Sequence, residues 1–331
     1  MIIDLHVHLA ALRSEHDCFV SPRMRGGPLF KLLARGAGLG PVDERTFDDI
    51  YAAHLMQWAE TSDLDAIGVL AFDGVYDSAG RLLRERTHMY ISNDYCIEVC
   101  ARSTALLPVC SVNPQRADAI EELDRVVELG AVAIKTLPNS QGFDPAATRY
   151  TRFWQRMADH KIPLLTHTSF EHTVPPINQL FGRPERLRYA LDEGVTVIAA
   201  HCAGSGVAHP VHEDFDTWLG MLRRHPNLYG DVSAMTSVSR FPYIHRVLAD
   251  DLARSRVILG SDFPVPTSPS VFLRHLGPAR VRALAAERNP LQKNLDTLRA
   301  LGLPDEVLHR AAELIRWPHP TPPFGHPSPL K

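Results

Sequence analysis

Short apolar segments recur along the chain, and longer segments with a helical period separate them. Each apolar segment has the length of a β-strand and is bounded by turn-forming residues. The eight segments cover residues 2–8, 66–72, 106–112, 131–137, 162–167, 195–201, 228–233 and 257–262. Near-continuous apolar strands of this kind are typical of a parallel sheet that helices cover.

The segments between the strands predict those helices. They include YAAHLMQWAETS, NDYCIEVCARST, AIEELDRVVELG, RYTRFWQRMADHK and FDTWLGMLRRHP, several of which end at Gly, Asn or Pro as helices commonly do. Eight strand–helix units favour a closed (β/α)8 TIM barrel over an open doubly wound sheet, and no G-x-G-x-x-G turn follows any of the strands. We therefore predict an α/β fold with one barrel domain over residues 1–316 and a Pro-rich tail over residues 317–331.

One connection in this series is much longer than the others. Residues 10–45 separate the first strand from its helix and contain the sequences SPRMRGGP and RGAGLGP. In a barrel this long first βα loop would lie on the catalytic face, where such loops form lids or pocket walls.

Composition narrows the class of protein. The 331 residues are 45% hydrophobic and 22% charged, which is ordinary for a globular chain with a sizeable core. The formal charge of -3 gives no basic excess, so we expect neither nucleic acid nor membrane as a partner. No apolar run approaches the roughly 20 residues that span a bilayer, and no signal peptide is evident, so we expect a cytoplasmic protein that acts on or binds a small molecule.

The cysteines and the oligomeric state complete these expectations. The five cysteines are odd in number and include no C-x-x-C pair, which favours buried free thiols over disulfides or a cysteine-based zinc site. We expect a homodimer, because this is the commonest assembly of such chains.

Polar residues occupy the late positions of five predicted strands. The C-terminal ends of parallel barrel strands converge on the face where catalysis takes place, so these side chains should meet there. The residues are His6 and His8, Lys135, His167, His201 and Asp262. His6 and His8 lie on one side of their strand by its two-residue period.

Imidazole and carboxylate groups are ligands that a divalent cation such as zinc prefers. Four histidines and an aspartate exceed one tetrahedral shell. The site therefore holds either one ion with a further histidine outside its shell, or two ions.

Lys135 helps to decide between one ion and two, because metal cations would repel its ammonium group at this position. Burial near cations lowers a lysine pKa. The free amine could then capture carbon dioxide and become a carbamate, N6-carboxylated lysine, which bridges two ions. The alternative is a lysine that pairs with Asp262 or with an acidic group of the substrate.

Taken together, these motifs resemble the amidohydrolase superfamily of metal-dependent hydrolases, and most closely its amidohydrolase-related branch, which also contains acyclic and aromatic-acid decarboxylases. The resemblance is carried by DLHVHL, AIKTLPNSQGFDP, LLTHTS, IAAHCAGSG and RVILGSDFPVP. It extends from residue 1 to about residue 262, with a weaker similarity in QKNLDTLRALGLPDEVLHRAAELI.

The resemblance implies a role for each strand-end residue. The first-strand pair, His6 and His8, would bind the more buried metal, and Lys135 would be carbamylated and bridge the two ions. His167 and His201 would bind the second metal or orient the substrate. Asp262 would bind metal and carry protons.

These roles predict a metal-dependent hydrolase in which a metal-activated hydroxide cleaves an amide, ester, lactone or related bond. Asp262 and His201 are the predicted catalytic residues. The alternative is a mononuclear zinc-dependent decarboxylase of the same superfamily, since such enzymes do not need Lys135. A barrel without catalysis is a third interpretation. Candidate substrate contacts lie in the βα loops; they are Arg23, Arg25 and His172, with Arg183, Ser233 and Thr236 as further candidates.

Overall fold

The computed structural model describes residues 1–36, 38, 43–207 and 213–317, without the side chains of residues 28, 29 and 32. Except for its first residue, the predicted Pro-rich tail lies outside the described residues. The strands are β1 (Ile3–His8), β2 (Phe19–Val20), β3 (Ala66–Leu70), β4 (Met89–Tyr90), β5 (Leu106–Ser111), β6 (Ala133–Thr136), β7 (Leu164–Thr166), β8 (Val197–Ala199), β9 (Leu228–Asp231) and β10 (Val257–Ile258).

Helices alternate with these strands. They are α1 (Pro22–Gly26), α2 (Pro28–Gly36), α3 (Phe47–Glu60), α4 (Asn93–Cys100), α5 (Ala119–Glu128), α6 (Pro138–Gln141), α7 (Thr151–Asp159), α8 (Arg188–Asp192), α9 (Glu213–Leu222), α10 (Phe241–Ala249), α11 (Asp251–Ser255), α12 (Leu273–Ala286), α13 (Pro290–Ala300) and α14 (Asp305–Leu314). Each of the five helical segments quoted from the sequence contains most of one helix.

Eight of the strands form one parallel sheet in the order β1-β3-β5-β6-β7-β8-β9-β10. The chain beyond β10 then runs beside β1 and closes the barrel. The N–H of Leu5 donates to the carbonyl oxygen of Leu259 at 3.3 Å, the N–H of Asp262 donates to that of His6 at 2.9 Å, and the N–H of His8 donates to that of Phe263 at 2.8 Å. The predicted TIM barrel is confirmed.

Apolar side chains form two buried layers. Leu5, Leu107, Leu165 and Ile198 belong to a cluster inside the barrel, which Ile315 joins just beyond α14. A larger cluster fills the space between the strands and the helices. Helix α3 shows how a helix contributes to this larger cluster. Its apolar residues recur every four positions, share one face and are all buried; they are Phe47, Tyr51, Leu55 and Ala59.

Every predicted barrel strand except the first extends past the observed C-terminal end, and two of these ends carry predicted site residues. β8 ends at Ala199 because His201 and Cys202 adopt left-handed φ angles of 57° and 49°. β10 ends at Ile258, and Asp262 lies in a turn with a φ of 63°. The polar residues predicted at these strand ends therefore lie just past them, in turns.

The long first βα connection carries short elements of its own. β2 pairs antiparallel with β4, and α1 and α2 follow it. The carboxylate of Asp48 on α3 accepts the N–H of Leu12 at 2.7 Å, which ties the start of this connection to the barrel.

Two further expectations concern the whole chain. All five cysteines are free and buried, as predicted. Within the described residues, no helix is both long and apolar enough to cross a membrane.

Gly68 on β3 allows β1 to lie close to its neighbour. A Cβ atom at this position would lie 2.9 Å from the carbonyl oxygen of Leu5 and 3.0 Å from Cγ2 of Val109. We expect Gly68→Ala to destabilise the protein by about 1–3 kcal/mol because a backbone atom must move. The control is Gly220→Ala, where a Cβ meets nothing within 4 Å in α9 and should stabilise by about 0.4–1 kcal/mol. Urea denaturation measures both, and equal midpoints would contradict the close approach.

Candidate metal centre

Three side chains converge where the barrel closes. Oδ1 of Asp262 lies 3.2 Å from Nε2 of His6 and 3.2 Å from Nε2 of His8. One ligand atom from each residue can be chosen so that all lie within 4.8 Å of one another. His6 is buried and His8 is partly exposed, so the cluster lies between the barrel interior and the mouth.

Backbone contacts fix this cluster. The register of β1 against β3 shifts between Asp4 and Val7, which interrupts the strand alternation just before the histidine pair. The carboxylate of Asp4 accepts the N–H of His6 at 3.1 Å and that of Ser261 at 2.9 Å, so it joins β1 to the turn that carries Asp262. Burial raises the pKa of Asp4 to about 6.

Asp231, the last residue of β9, orients His6. Its Oδ2 lies 2.7 Å from Nδ1 of His6, and its Oδ1 accepts the N–H of His201 at 2.7 Å and that of Ser233 at 3.0 Å. Because Nδ1 of His6 is engaged by a carboxylate, Nε2 is the nitrogen presented to Asp262. Although burial opposes it, the attraction of His6 lowers the pKa of Asp231.

The sequence predictions missed Asp231. It ends the seventh barrel strand in the series LYGDVS, and the strand-end rule that selected Asp262 would have selected it too.

Lys135 on β6 lies at the base of the same cluster. Its Nζ is 3.0 Å from Nε2 of His6, and the residue is 1% exposed. No described carboxylate lies within ion-pair distance of Nζ, so the alternative pairing with Asp262 is not formed. Burial is the main reason that the pKa of Lys135 falls to about 8.

His201 and His167 extend the cluster across the mouth. The ring of His201 stacks on that of His6 at 5.5 Å and lies 5.3 Å from that of His167. Nδ1 of His201 is 3.0 Å from the carbonyl oxygen of Ser233 and 2.8 Å from its hydroxyl. Burial is the first cause that lowers the pKa of His201 to about 3, so this imidazole is neutral.

His167 is set apart from the compact cluster of His6, His8 and Asp262. Its Nε2 lies 3.3 Å from the carbonyl oxygen of Phe170 and 3.4 Å from Oε2 of Glu171, a buried carboxylate that the sequence predictions missed. Glu171 lies four residues after His167 in a loop, where no strand pattern singles it out.

Several residues near the cluster adopt strained backbone conformations. His201, Cys202, Ala203, Ala234 and Asp262 have φ angles between 49° and 63° although none is glycine. Each such residue costs on the order of 1–3 kcal/mol, and such strain concentrates at functional sites.

The structure does not link the two predicted substrate arginines to this cluster. Arg23 is exposed on α1, and Arg25 pairs with Glu44. Nε2 of His172 lies 3.2 Å from the carbonyl oxygen of Ser205, beyond β8 on the face that carries the cluster. All three stay predictions as substrate contacts.

The donor atoms suit a divalent cation. Burial is the main reason that the pKa of His6 is lowered, so its imidazole is neutral. Burial would raise the pKa of Asp262, but the neighbouring His201 and His6 lower it well below its usual range, so this group is a carboxylate. Neutral imidazole and ionised carboxylate are the protonation states that bind a metal.

Fold and cluster together define a TIM-barrel protein with a candidate His-His-Asp metal site at the mouth of the barrel. The family model described as Amidohydrolase matches residues 3–313, and the chain belongs to this family. The family prediction is confirmed: this is an enzyme family of metal-dependent hydrolases and decarboxylases. No curated protein matches the chain.

Three solved structures are similar in fold. An uncharacterised TIM-barrel protein from Bordetella bronchiseptica has a TM-score of 0.59 at 16% identity, covering 94% of this chain and 96% of its own. A protein from Pseudomonas putida assigned as a 2-pyrone-4,6-dicarboxylic acid hydrolase has a TM-score of 0.53 at 12% identity, covering 95% and 94%. A 5-carboxyvanillate decarboxylase from Sphingomonas paucimobilis has a TM-score of 0.53 at 13% identity, covering 96% and 99%.

The contact between Asp231 and His6 predicts an effect on metal affinity. We expect Asp231→Asn to weaken zinc binding about 10- to 100-fold, because the amide no longer holds His6 with Nε2 facing Asp262. Competition with a chromophoric chelator measures this affinity.

The matched control is Asp65→Asn, which makes the same change of charge at the other end of the barrel, where the carboxylate accepts the N–H of Ile2 at 2.6 Å. Equal zinc affinities in the two variants would show that Asp231 does not support the site.

Proposed function

We propose that the protein is a metal-dependent hydrolase that cleaves an amide, ester, lactone or related bond of a small molecule. In this proposal the barrel mouth would hold two divalent ions, most simply zinc, and Lys135, carboxylated on Nζ, would supply an anionic oxygen ligand to them. The observation that carries it is the position of Lys135: a buried amine 3.0 Å from Nε2 of His6, with no described carboxylate to neutralise it. The amine adds to carbon dioxide and loses one proton to give the anionic carbamate.

His6, His8 and Asp262 would hold one ion, and His167 with His201 supply imidazoles for a second. The ions would supply Lewis acidity toward water and toward a substrate oxygen. Oδ1 of Asp262 faces both first-strand imidazoles, while none of the described residues donates to Oδ2. We assign to this second oxygen the role of taking the proton from the attacking water and returning it to the leaving group.

His201 contributes a neutral imidazole to the same mouth. Its Nδ1–H donates to the carbonyl oxygen of Ser233 at 3.0 Å, so Nε2 keeps a lone pair that can accept a hydrogen bond from substrate or bind metal. The Ser233 hydroxyl donates to Oδ1 of Asp231, which fixes the carboxylate that also orients His6.

A mononuclear decarboxylase is the second candidate function. It is favoured by the compactness of His6, His8 and Asp262, which provide one complete three-ligand site without Lys135. In that case Asp262 or His201 would manage a proton at the carbon that loses its carboxylate.

Products distinguish the two functions. The metal-loaded protein can be assayed against lactones, esters and amides, and against pyrone and hydroxybenzoic acids related to the substrates named for the two similar structures. Hydrolysis places ¹⁸O from labelled water in the organic product, whereas decarboxylation releases carbon dioxide and leaves an organic product that gains no oxygen from water. Carbon dioxide release without hydrolysis of any member of the panel would overturn the proposal.

Asp262 is the residue whose loss should stop either reaction. We expect Asp262→Asn to lower kcat/KM by at least about 10²- to 10⁴-fold, because the group that moves the proton is lost. His6→Ala should also abolish turnover, through loss of metal. Both variants should keep the thermal unfolding midpoint within a few degrees, since residues at this face contribute little to barrel stability.

The control for Asp262→Asn is Asp251→Asn, an exposed carboxylate at the start of α11 outside the barrel. This variant should match the wild type in activity and in stability. Unchanged kinetics in Asp262→Asn would refute the assigned role.

Lys135 decides the number of ions. We expect Lys135→Ala to lower the metal content from two ions to one per chain and to reduce activity, because the bridging anion is lost. Acetate or propionate should restore part of both by taking the place of the carbamate. Elemental analysis of protein purified without chelators measures this, with Lys293→Ala on the outer helix α13 as control.

Full metal occupancy in Lys135→Ala would contradict a bridging role. One ion per chain in the wild type, with an unmodified lysine mass, would favour the decarboxylase.

A further inference from the structure

Glu171 is a buried carboxylate to which the proposed function assigns no role. It lies in the connection after β7, four residues beyond His167, and is 7% exposed. Its Oε2 lies 3.4 Å from Nε2 of His167, which is itself buried. Carboxylates are almost never buried without a partner, so this contact is a specific feature of the barrel mouth.

The loop after β7 holds the carboxylate of Glu171 in one orientation. Its Oε1 accepts the N–H of Val174 at 2.8 Å and also that of Thr173. Gln179 brackets the backbone of Glu171: its Oε1 accepts the N–H of Glu171 at 3.0 Å, and its Nε2 donates to the carbonyl oxygen of Glu171 at 2.8 Å. Because Oε1 of Glu171 is committed to two backbone donors, Oε2 is the oxygen left to face His167.

Asn139 of α6 connects this loop to the barrel. Its Nδ2 donates to Oε1 of Gln179 at 2.9 Å and to the carbonyl oxygen of Ser169 at 3.0 Å. Gly182 permits the close approach, since a Cβ atom there would lie 2.5 Å from the amide atoms of Asn139. Glu171 is thereby tied to the barrel wall, because α6 directly follows β6.

Nε2 of His167 is enclosed by two hydrogen-bond acceptors. It lies 3.3 Å from the carbonyl oxygen of Phe170 and 3.4 Å from Oε2 of Glu171. A carbonyl oxygen and a carboxylate accept hydrogen bonds but cannot donate them, so the single N–H of a neutral imidazole belongs on Nε2. Nδ1 has no hydrogen-bond partner among the described residues, and it keeps the lone pair.

The other two buried imidazoles of the mouth have the opposite arrangement. Nδ1 of His6 lies 2.7 Å from Oδ2 of Asp231, and Nδ1 of His201 lies 3.0 Å from the carbonyl oxygen of Ser233. Both rings therefore present Nε2 toward a ligand. His167 differs from them because its acceptors lie at Nε2 instead.

We propose that Glu171 is a positioning residue of the barrel mouth: it accepts the Nε2–H of His167 and so leaves the Nδ1 lone pair for the second ion. A neutral imidazole binds an ion only through the nitrogen that carries no hydrogen. This role rests on the proposed function in that a second ion is bound.

The hydrogen on the His167 ring can be located directly. Protein labelled with ¹⁵N in its histidines and treated with EDTA gives long-range ¹H–¹⁵N spectra, in which protonated and unprotonated ring nitrogens have distinct shifts. The signals of His167 are those that disappear in His167→Gln. We expect the wild type to carry the hydrogen on Nε2, and a hydrogen on Nδ1 would overturn the proposal. This measurement requires no variant of Glu171.

Glu171→Gln should reverse the arrangement. The amide oxygen can keep the two backbone N–H groups at the position of Oε1, so the amide NH₂ faces Nε2 of His167 and needs an acceptor there. We therefore expect the hydrogen to move to Nδ1 and the second zinc ion to bind about 10- to 100-fold more weakly, while the first ion is unaffected. Competition with a chromophoric chelator measures both affinities.

The matched control is Glu193→Gln, which makes the same change after α8 at the other end of the barrel, where the carboxylate accepts from Nε2 of Gln155 at 2.9 Å. It should keep the wild-type spectrum and zinc affinities. A merely structural role of Glu171 would lower the unfolding midpoint of Glu171→Gln and leave the hydrogen of His167 on Nε2; that result would overturn the proposal.

The spectra and the metal content test this role and the proposed function separately, because the spectra are recorded without metal. Two ions per chain, with the hydrogen of His167 on Nδ1, refute the role of Glu171 alone. One ion per chain, with the hydrogen on Nε2 in the wild type and on Nδ1 in Glu171→Gln, refutes the two-ion function alone.

Discussion

The hydrogen bonds that close the barrel are the constraint on which the candidate site depends. The N–H of Asp262 donates to the carbonyl oxygen of His6, and the N–H of His8 donates to that of Phe263. These bonds bring the last barrel strand against the first, so residues more than 250 positions apart face one point. Asp4 reinforces the junction from the side by accepting N–H groups from both segments. Without this closure the two histidines would keep their strand but lose their aspartate.

The electrostatics of the mouth follow from burial. Removing ionisable groups from water disfavours their charged forms, and burial accordingly lowers the pKa of His201 to about 3. The pKa values of Asp231 and Asp262 are lowered in spite of burial, by their contacts with the histidines. Lys135 lacks a carboxylate partner among the described residues and contacts Nε2 of His6 instead. A divalent cation bound to Asp262 would complete an arrangement that the polypeptide leaves unbalanced. A ligand that completes it stabilises the folded chain by mass action.

The sequence was sufficient for the architecture and for most of the cluster. The apolar runs located all eight barrel strands because strands buried on both faces consist mostly of apolar residues. His6, His8 and Asp262 stood out against that background. Asp231 was overlooked although it obeys the same rule. Glu171 could not be predicted, because it lies in a loop whose path depends on tertiary contacts rather than on a periodic pattern.

The exact ends of the strands also escaped prediction. Left-handed turns at His201 and Asp262 shorten β8 and β10, and non-glycine residues give no sequence signal for such turns. The shift in register within β1 also has no sequence signal, because apolar and polar residues alternate through it without interruption. The sequence therefore indicated which strand ends carry candidate ligands. It did not indicate the backbone conformation that orients their side chains.

Barrel closure also has a consequence in time. During synthesis the chain emerges from its N-terminus, so β1 and the histidine pair are exposed while most of the barrel does not yet exist. Asp231 and Asp262 appear only after more than two thirds of the chain has been made, and α14, which packs against β1 and β10, appears last. Contacts between such distant segments form slowly because a long loop must close first. The candidate metal centre therefore forms late in folding, because it needs the two ends of the barrel to be in contact.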